Sequence, residues 1–293
     1  MKILSSFALR HPGRISDYLM LMKPELTLLS VSTAVCSAYI ALQGSGHYLF
    51  LVHTLIGTLL VGGAAGALNQ YIERRYDALM KRTEQRPLPA GRIQSSRAVL
   101  FGIVLGLAGV SYLAVLTNWV AASLSVITLV SYLVIYTPLK RKTPFATNIG
   151  GIPGALPPLI GWSVVQGRLP IEAWSLFFIL FFWQMPHFLA LAWMYRNDYA
   201  RASYRLLTVL DTTGAATSRQ ILVYSIALIP ASLMPMVVGL TGMLYLLCMT
   251  ILSIGFLTVS IHFCRVRTNA AARRLFYSSL FFLPLLFFFM MIL

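Results

Sequence analysis

Acidic side chains are scarce in this chain: 8 Asp and Glu stand against 23 Lys and Arg in 293 residues, and charged residues of either sign make up only 11%. A water-exposed globular surface needs about twice that share, so a conventional soluble fold is excluded. Cysteine is sparse as well. Cys36, Cys248 and Cys264 lie in or beside apolar stretches with no C-x-x-C pair, which excludes a disulfide framework and a thiolate metal site. Met1 to Pro24 lacks a signal-type apolar core and cleavage site, so the first apolar segment reads as a retained membrane helix.

What the chain does have is hydrophobic length. Hydrophobic residues make up 58% of it and the mean hydropathy is +0.77. Apolar stretches recur near the ~20 residues that cross a bilayer. The expected spans are Leu26 to Leu42, Tyr48 to Leu68, Ala98 to Leu116, Trp119 to Tyr136, Phe145 to Val165, Ala173 to Tyr195, Gln220 to Leu240, Met243 to Phe263 and Leu275 to Leu293. The expected fold is an all-α integral membrane protein, with nine transmembrane helices around a central cavity that opens to the cytoplasmic side. It is one polytopic domain over 1–293, with an N-terminal segment 1–25 and two long cap loops, 72–97 and 196–219.

Lys and Arg are divided by this topology. The connections before span one, between spans two and three, four and five, six and seven, and eight and nine hold four, seven, three, four and four of them, and only Arg168 falls on the other side. The positive-inside rule then places the N-terminus in the cytoplasm and the C-terminus outside, and a bacterial plasma (inner) membrane fits best. The net charge of +15 is accounted for by orientation in a lipid bilayer and attraction to anionic lipid. Nucleic acid is not an expected partner, because the basic residues are not gathered into one face.

Against this background one acidic pattern stands out: Asn69-x-x-x-Glu73-x-x-x-Asp77, where span two runs into a basic loop. On a helix these residues form one stripe, with neighbours about 6 Å apart. On a soluble helix such a stripe is usually a solvated face. In a chain with so few carboxylates, flanked by Arg74, Arg75, Lys81, Arg82 and Arg86, it reads as a Mg²⁺ site. Mg²⁺ takes a few protein oxygens plus waters and phosphates, so the pattern points to a diphosphate ligand.

The segment from Asn69 to Asp77, continued by Arg82-Thr83 and Arg86-Pro87-Leu88-Pro89, resembles the first signature of the intramembrane (UbiA-type) prenyltransferases, in the form found in the protoheme IX farnesyltransferases, or heme O synthases. Three further segments resemble the same family: Tyr136-Thr-Pro-Leu-Lys140-Arg141-Lys-Thr143 followed by Asn148-Ile-Gly-Gly, Trp183-Gln-Met-Pro-His187-Phe, and Asp198-Tyr-Ala-Arg-Ala. The resemblance spans nearly the whole chain in order. It implies transfer of farnesyl from farnesyl diphosphate to a vinyl group of heme B, with addition of water, giving heme O and diphosphate. It further implies one Mg²⁺ on Asn69, Glu73 and Asp77, a second held or oriented by Asp198, and a diphosphate gripped by Arg82, Arg86, Lys140 and Arg141. A downstream heme-modifying enzyme or a terminal oxidase is the protein partner to be expected.

His187 precedes Asp198 by eleven residues, which on one continuous helix is about three turns and about 16 Å along a shared face. His187, with Trp183 beside it, is therefore either a heme contact through an axial imidazole or a hydrogen-bonded helix histidine next to Pro186. The chain departs from the family pattern in three places. Glu73 stands where an aspartate is usual, Ala202 stands where the wider superfamily has a second paired aspartate, and Tyr204-Arg205 replaces Ile-Pro. The alternatives are a prenyltransferase for another aromatic acceptor, 4-hydroxybenzoate or a chlorophyll precursor, and an ion-coupled transporter with a midplane site.

Overall fold

The computed structural model describes residues 14–292; residues 1–13 of the expected N-terminal segment, and Leu293 at the end of the last expected span, lie outside the described residues. Every described element is helical. In chain order they are α1 (Ile15–Leu21), α2 (Pro24–Leu42), α3 (Leu49–Asp77), α4 (Ser95–Leu116), α5 (Trp119–Val130), a π-helical stretch (Ser131–Tyr136) continuing into α6 (Thr137–Leu139), α7 (Ala146–Gln166), α8 (Ile171–Met194), α9 (Arg196–Arg201), α10 (Leu207–Leu210), α11 (Ala215–Val237), α12 (Met243–Val266) and α13 (Asn269–Ile292). The short helices α1, α9 and α10 were not expected from hydropathy. Each is too short, at four to seven residues, to register in a window of membrane-span length.

Among the described residues, eight helices are long and apolar enough to cross a membrane: α2, α3, α4, the continuous α5–α6 rod, α8, α11, α12 and α13. The expected fifth span is present as α7, a 21-residue helix that is not among the eight. It packs against α2, α5 and α8, and every residue from Ala155 to Val164 is buried. A helix wrapped in protein rather than lipid needs less apolar surface and is free to carry small residues where backbones meet. At Gly161 a Cβ would stand 1.9 Å from the Ala34 carbonyl oxygen, so α2 and α7 touch through their main chains. Ser37 Oγ of α2 adds a second tie by donating to the Pro158 carbonyl at 2.7 Å.

Two departures from the expected boundaries build the functional end of the bundle. Helix α3 does not stop at Leu68 but runs nine residues further, to Asp77, so the whole acidic pattern lies on a single rigid element. The π turn at Ser131–Tyr136 widens the end of the α5 rod, a local irregularity that recurs at functional sites. It directs Thr137 and Lys140 toward α3.

Candidate active site

Asn69, Glu73 and Asp77 are buried, at 0%, 6% and 1% exposure, so the stripe is not a solvated face. Each oxygen donor has its own cation. The Lys23 ammonium donates to Asn69 Oδ1, Lys140 Nζ donates to Glu73 Oε1 at 2.9 Å, and Arg86 Nη1 donates to Asp77 Oδ2 at 2.8 Å. Asn69 Nδ2 donates in turn to Thr137 Oγ1 at 2.9 Å, and Thr137 to the Tyr132 carbonyl at 2.8 Å. That chain fixes the amide with its oxygen facing the cations.

Three different pieces of backbone deliver the three cations. Lys23 sits between α1 and α2 in the left-handed conformation, at φ 52°, a strained choice for a side-chain-bearing residue. Its neighbours hold it there. Gln70 Nε2 donates to the carbonyls of Met20 and Leu21 at 2.7 and 3.2 Å, and Arg92 Nε pairs with the buried Asp17 at 2.8 Å. Lys140 follows the π turn, with Tyr136 under its ammonium at 4.6 Å and its carbonyl held by the Arg205 amide at 3.0 Å. Arg86 comes from the loop after α3, which Thr83 ties back by donating to the Asp77 carbonyl at 2.8 Å. Burial pulls the Lys23 ammonium down to about 7, with Arg86 adding in the same direction. Burial is also the largest single effect on Lys140, but the Glu73 carboxylate and the surrounding tyrosines together outweigh it and hold that ammonium well above the ordinary range.

Around this centre lies an aromatic shell. Tyr204 packs edge-on against Tyr76 and Tyr199, with centroids 6.1 and 5.6 Å away. Burial and the neighbouring Glu73 both push its phenol upward, so it stays protonated. Arg141 lies over Tyr76 at 4.3 Å, and Arg82 lies over Tyr195 at 4.9 Å while donating to the Tyr199 hydroxyl at 3.2 Å. Of the four expected diphosphate-binding residues, Arg86, Lys140 and Arg141 thus meet the end of α3 directly, and Arg82 joins the aromatic shell through Tyr199. Lys23, Thr137 and Tyr204 meet α3 as well, and sequence reading missed them. The only signal for Lys23 was a basic residue directly before the Pro that opens α2, and its contact lies 46 residues away.

Asp198 and His187 are placed differently from expectation. His187 and Asp198 do not share one continuous helix, because α8 ends at Met194, Tyr195 takes a non-helical conformation and α9 begins at Arg196. Asp198 is paired with Arg201 on its own short helix. Among the described residues no group of three or more His, Cys, Asp and Glu comes together as a metal site. His187 lies on the seam between α8 and α13. Its Nδ1 is 2.7 Å from Ser279 Oγ, and its ring is stacked on Trp183 with centroids 5.1 Å apart and 4.6 Å from Phe276. Trp183 Nε1 donates to the Ser279 carbonyl at 2.8 Å. Because the Ser279 hydroxyl also donates to the Phe276 carbonyl, Nδ1 is the protonated nitrogen and Nε2 the one left over.

The α3 oxygens fit Mg²⁺ rather than a softer metal. They are hard donors, two carboxylates and an amide, few enough to leave coordination sites for water and phosphate. They are now matched by ammonium and guanidinium groups, so the same oxygens already face positive charge.

The family model described as the UbiA prenyltransferase family matches residues 30–291. A protein from Solibacter usitatus (strain Ellin6076) named protoheme IX farnesyltransferase is 43% identical over 280 residues, covering 92% of this chain and 96% of that protein. Among solved structures, one concerned with digeranylgeranylglyceryl phosphate synthase superposes with a TM-score of 0.79 at 15% identity, covering 95% of this chain and 97% of its own. A UbiA homolog from Archaeoglobus fulgidus bound to DMAPP and Mg²⁺ superposes at 0.62 and 14% identity, covering 94% of this chain and 100% of its own. At those identities the structures speak for the fold alone.

Proposed function

The chain belongs to the UbiA prenyltransferase family, and on that premise we propose that it is a heme farnesyltransferase: it moves farnesyl from farnesyl diphosphate to a vinyl group of heme B and adds water, giving heme O and diphosphate. The observation that carries the diphosphate half is the row of three oxygens on α3, each faced by its own cation. Three cations against two carboxylates leave the centre short of negative charge, which a magnesium diphosphate supplies. Heme B as acceptor is supported by the near full-length similarity to a protein of that name.

In this reading Asn69, Glu73 and Asp77 would hold Mg²⁺, which would neutralise charge on the departing diphosphate. Lys23, Lys140 and Arg86 turn from the α3 oxygens to the diphosphate, with Arg82 and Arg141 at its edges, and offer preorganised positive charge where the carbon–oxygen bond breaks. Asp198 reaches a second ion only by giving up Arg201. His187 contacts heme through Nε2, its ring oriented by the Ser279 hydroxyl at Nδ1 and by stacking on Trp183. His187→Ala then weakens heme binding and alters the heme absorption spectrum while the Kd for farnesyl diphosphate stays within about threefold. A lowered diphosphate affinity with an unchanged heme spectrum would remove His187 from the heme site.

The test of the function is incubation of purified protein with farnesyl diphosphate, Mg²⁺ and either heme B or 4-hydroxybenzoate, with products resolved by mass. Farnesylated, hydrated heme is expected from the first and nothing from the second, and chelation of the metal should abolish the product. Prenylated 4-hydroxybenzoate alone would overturn the heme reading, and no prenyl transfer to either would overturn the enzyme reading.

The basic end of the bundle, with the cap segments 72–97 and 196–219, is proposed to face the cytoplasm of a bacterial cell and to form the mouth of a central cavity. Reporter fusions after Gly91, Lys142 and Asn197 should report inside, and those after Ser45 and Gly167 outside. An inside signal at Gly167 would mean that α7 does not cross.

A further inference from the structure

The reaction consumes one water, and the fold offers a polar pair outside the diphosphate centre with nothing else to do. Asn148, in the first turn of α7, donates from Nδ2 to the Tyr224 hydroxyl of α11. Both helices pack on α8 far more than on each other, so this side-chain pair links two elements that are otherwise held through a third. Asn148 Oδ1 is buried and has no partner among the described residues. Whichever way the amide is turned, one of its ends is left over.

The surroundings are apolar and close to the centre. The rings of Phe181 and Phe182 lie 6.3 and 6.2 Å from that of Tyr224. Two residues along α7, a Cβ on Gly150 would stand 2.4 Å from the Tyr136 ring, and Tyr136 is the residue under the Lys140 ammonium that pairs with Glu73. An unsatisfied amide oxygen among aromatic rings is costly unless something small donates to it, and water is the usual occupant of such a place.

We propose that Asn148 and Tyr224 hold the water that hydrates the farnesylated porphyrin, an inference that rests on the heme farnesyltransferase reading. The bond between farnesyl carbon 1 and the diphosphate oxygen breaks, and the diphosphate leaves with the electron pair. The terminal vinyl carbon bonds to carbon 1, which puts the positive charge on the vinyl carbon attached to the porphyrin ring. The water oxygen bonds to that carbon, and its proton passes to the departed diphosphate. The amide takes no proton; it accepts a hydrogen bond and so turns the water's lone pair toward the cation. Without a held water the cation loses a proton from the neighbouring carbon instead and becomes an alkene, one water lighter.

Asn148→Leu keeps the branching at Cγ and removes both the acceptor and the donor to Tyr224. With farnesyl diphosphate, heme B and Mg²⁺ it should release at least about half of its farnesylated heme as the dehydrated alkene, with total farnesylation within about tenfold of wild type, the cost of one hydrogen bond. Tyr224→Phe should raise the dehydrated fraction at least about fivefold over wild type by the same argument. Fully hydrated product from Asn148→Leu, or loss of all farnesylation while both substrates still bind, would overturn the proposal. Should Asn148→Leu bind neither substrate, Tyr224→Phe decides by the same ratio, and an unchanged ratio overturns it. Failure of the underlying reading looks different, because the wild-type protein then makes no farnesylated heme at all.

Discussion

Asp77→Asn and Glu73→Gln should each lower turnover at least about a hundredfold, the scale of removing one preorganised electrostatic contact from an active site, while the protein remains folded in detergent. Each substitution takes one negative charge from the oxygen row that faces Arg86 or Lys140. The expected loss is of metal-dependent diphosphate release, so raising Mg²⁺ should recover part of it. Glu73→Asp should remain active, since it restores the residue usual in the resembling family and shortens the side chain by one methylene. Full turnover in both neutral variants would show that the α3 row has no part in metal binding.

The second large effect falls on stability. Lys140→Met leaves Glu73 as a carboxylate buried beneath Tyr204 and Tyr136 with its ammonium gone. Removing one partner from a buried pair costs about 3–5 kcal/mol, and Lys140 and Glu73 have side-chain exposures of only 14% and 8%. Thermal unfolding in detergent should show this as a large drop in Tm. Mg²⁺ with inorganic diphosphate should restore more of the Tm in the variant than it adds to wild type, because a bound cation takes over the charge that Lys140 neutralised. An unshifted Tm would mean that Glu73 escapes its burial by another route, and equal gains in the two proteins would separate Glu73 from the metal.

The sequence was informative wherever one helix or one loop carried the signal. The acidic row needed only helical geometry, and its burial followed from the rarity of charge. Arg82 and Arg86 lie within a short loop of it, and Lys140 and Arg141 follow directly on span four. What escaped was set by long-range chain paths. Lys23 reaches Asn69 only because Gln70 and Asp17 fix a left-handed turn ahead of α2, and hydropathy carries no trace of that geometry. Tyr204 read as a departure from pattern, whereas it lies in the aromatic shell over Glu73. The His187–Asp198 argument assumed an unbroken helix, and the break at Tyr195 has no Pro or Gly to announce it. Helix α7 was legible as a helix but not as one largely buried against α2, α5 and α8. Its glycines sit where neighbours come close, Gly161 on the α2 main chain and Gly150, Gly151 and Gly154 against Tyr136, Met185 and Gln184.

The most direct test of the α3 centre is a structure of the protein with farnesyl thiodiphosphate, a slowly reacting analogue, and Mn²⁺ in place of Mg²⁺, located by its anomalous scattering. The account predicts an anomalous peak coordinated by Asn69, Glu73 and Asp77, with Lys23, Lys140 and Arg86 turned from those residues to the diphosphate oxygens. A metal bound elsewhere, with the three cations still paired to the α3 oxygens while the diphosphate is present, would contradict it.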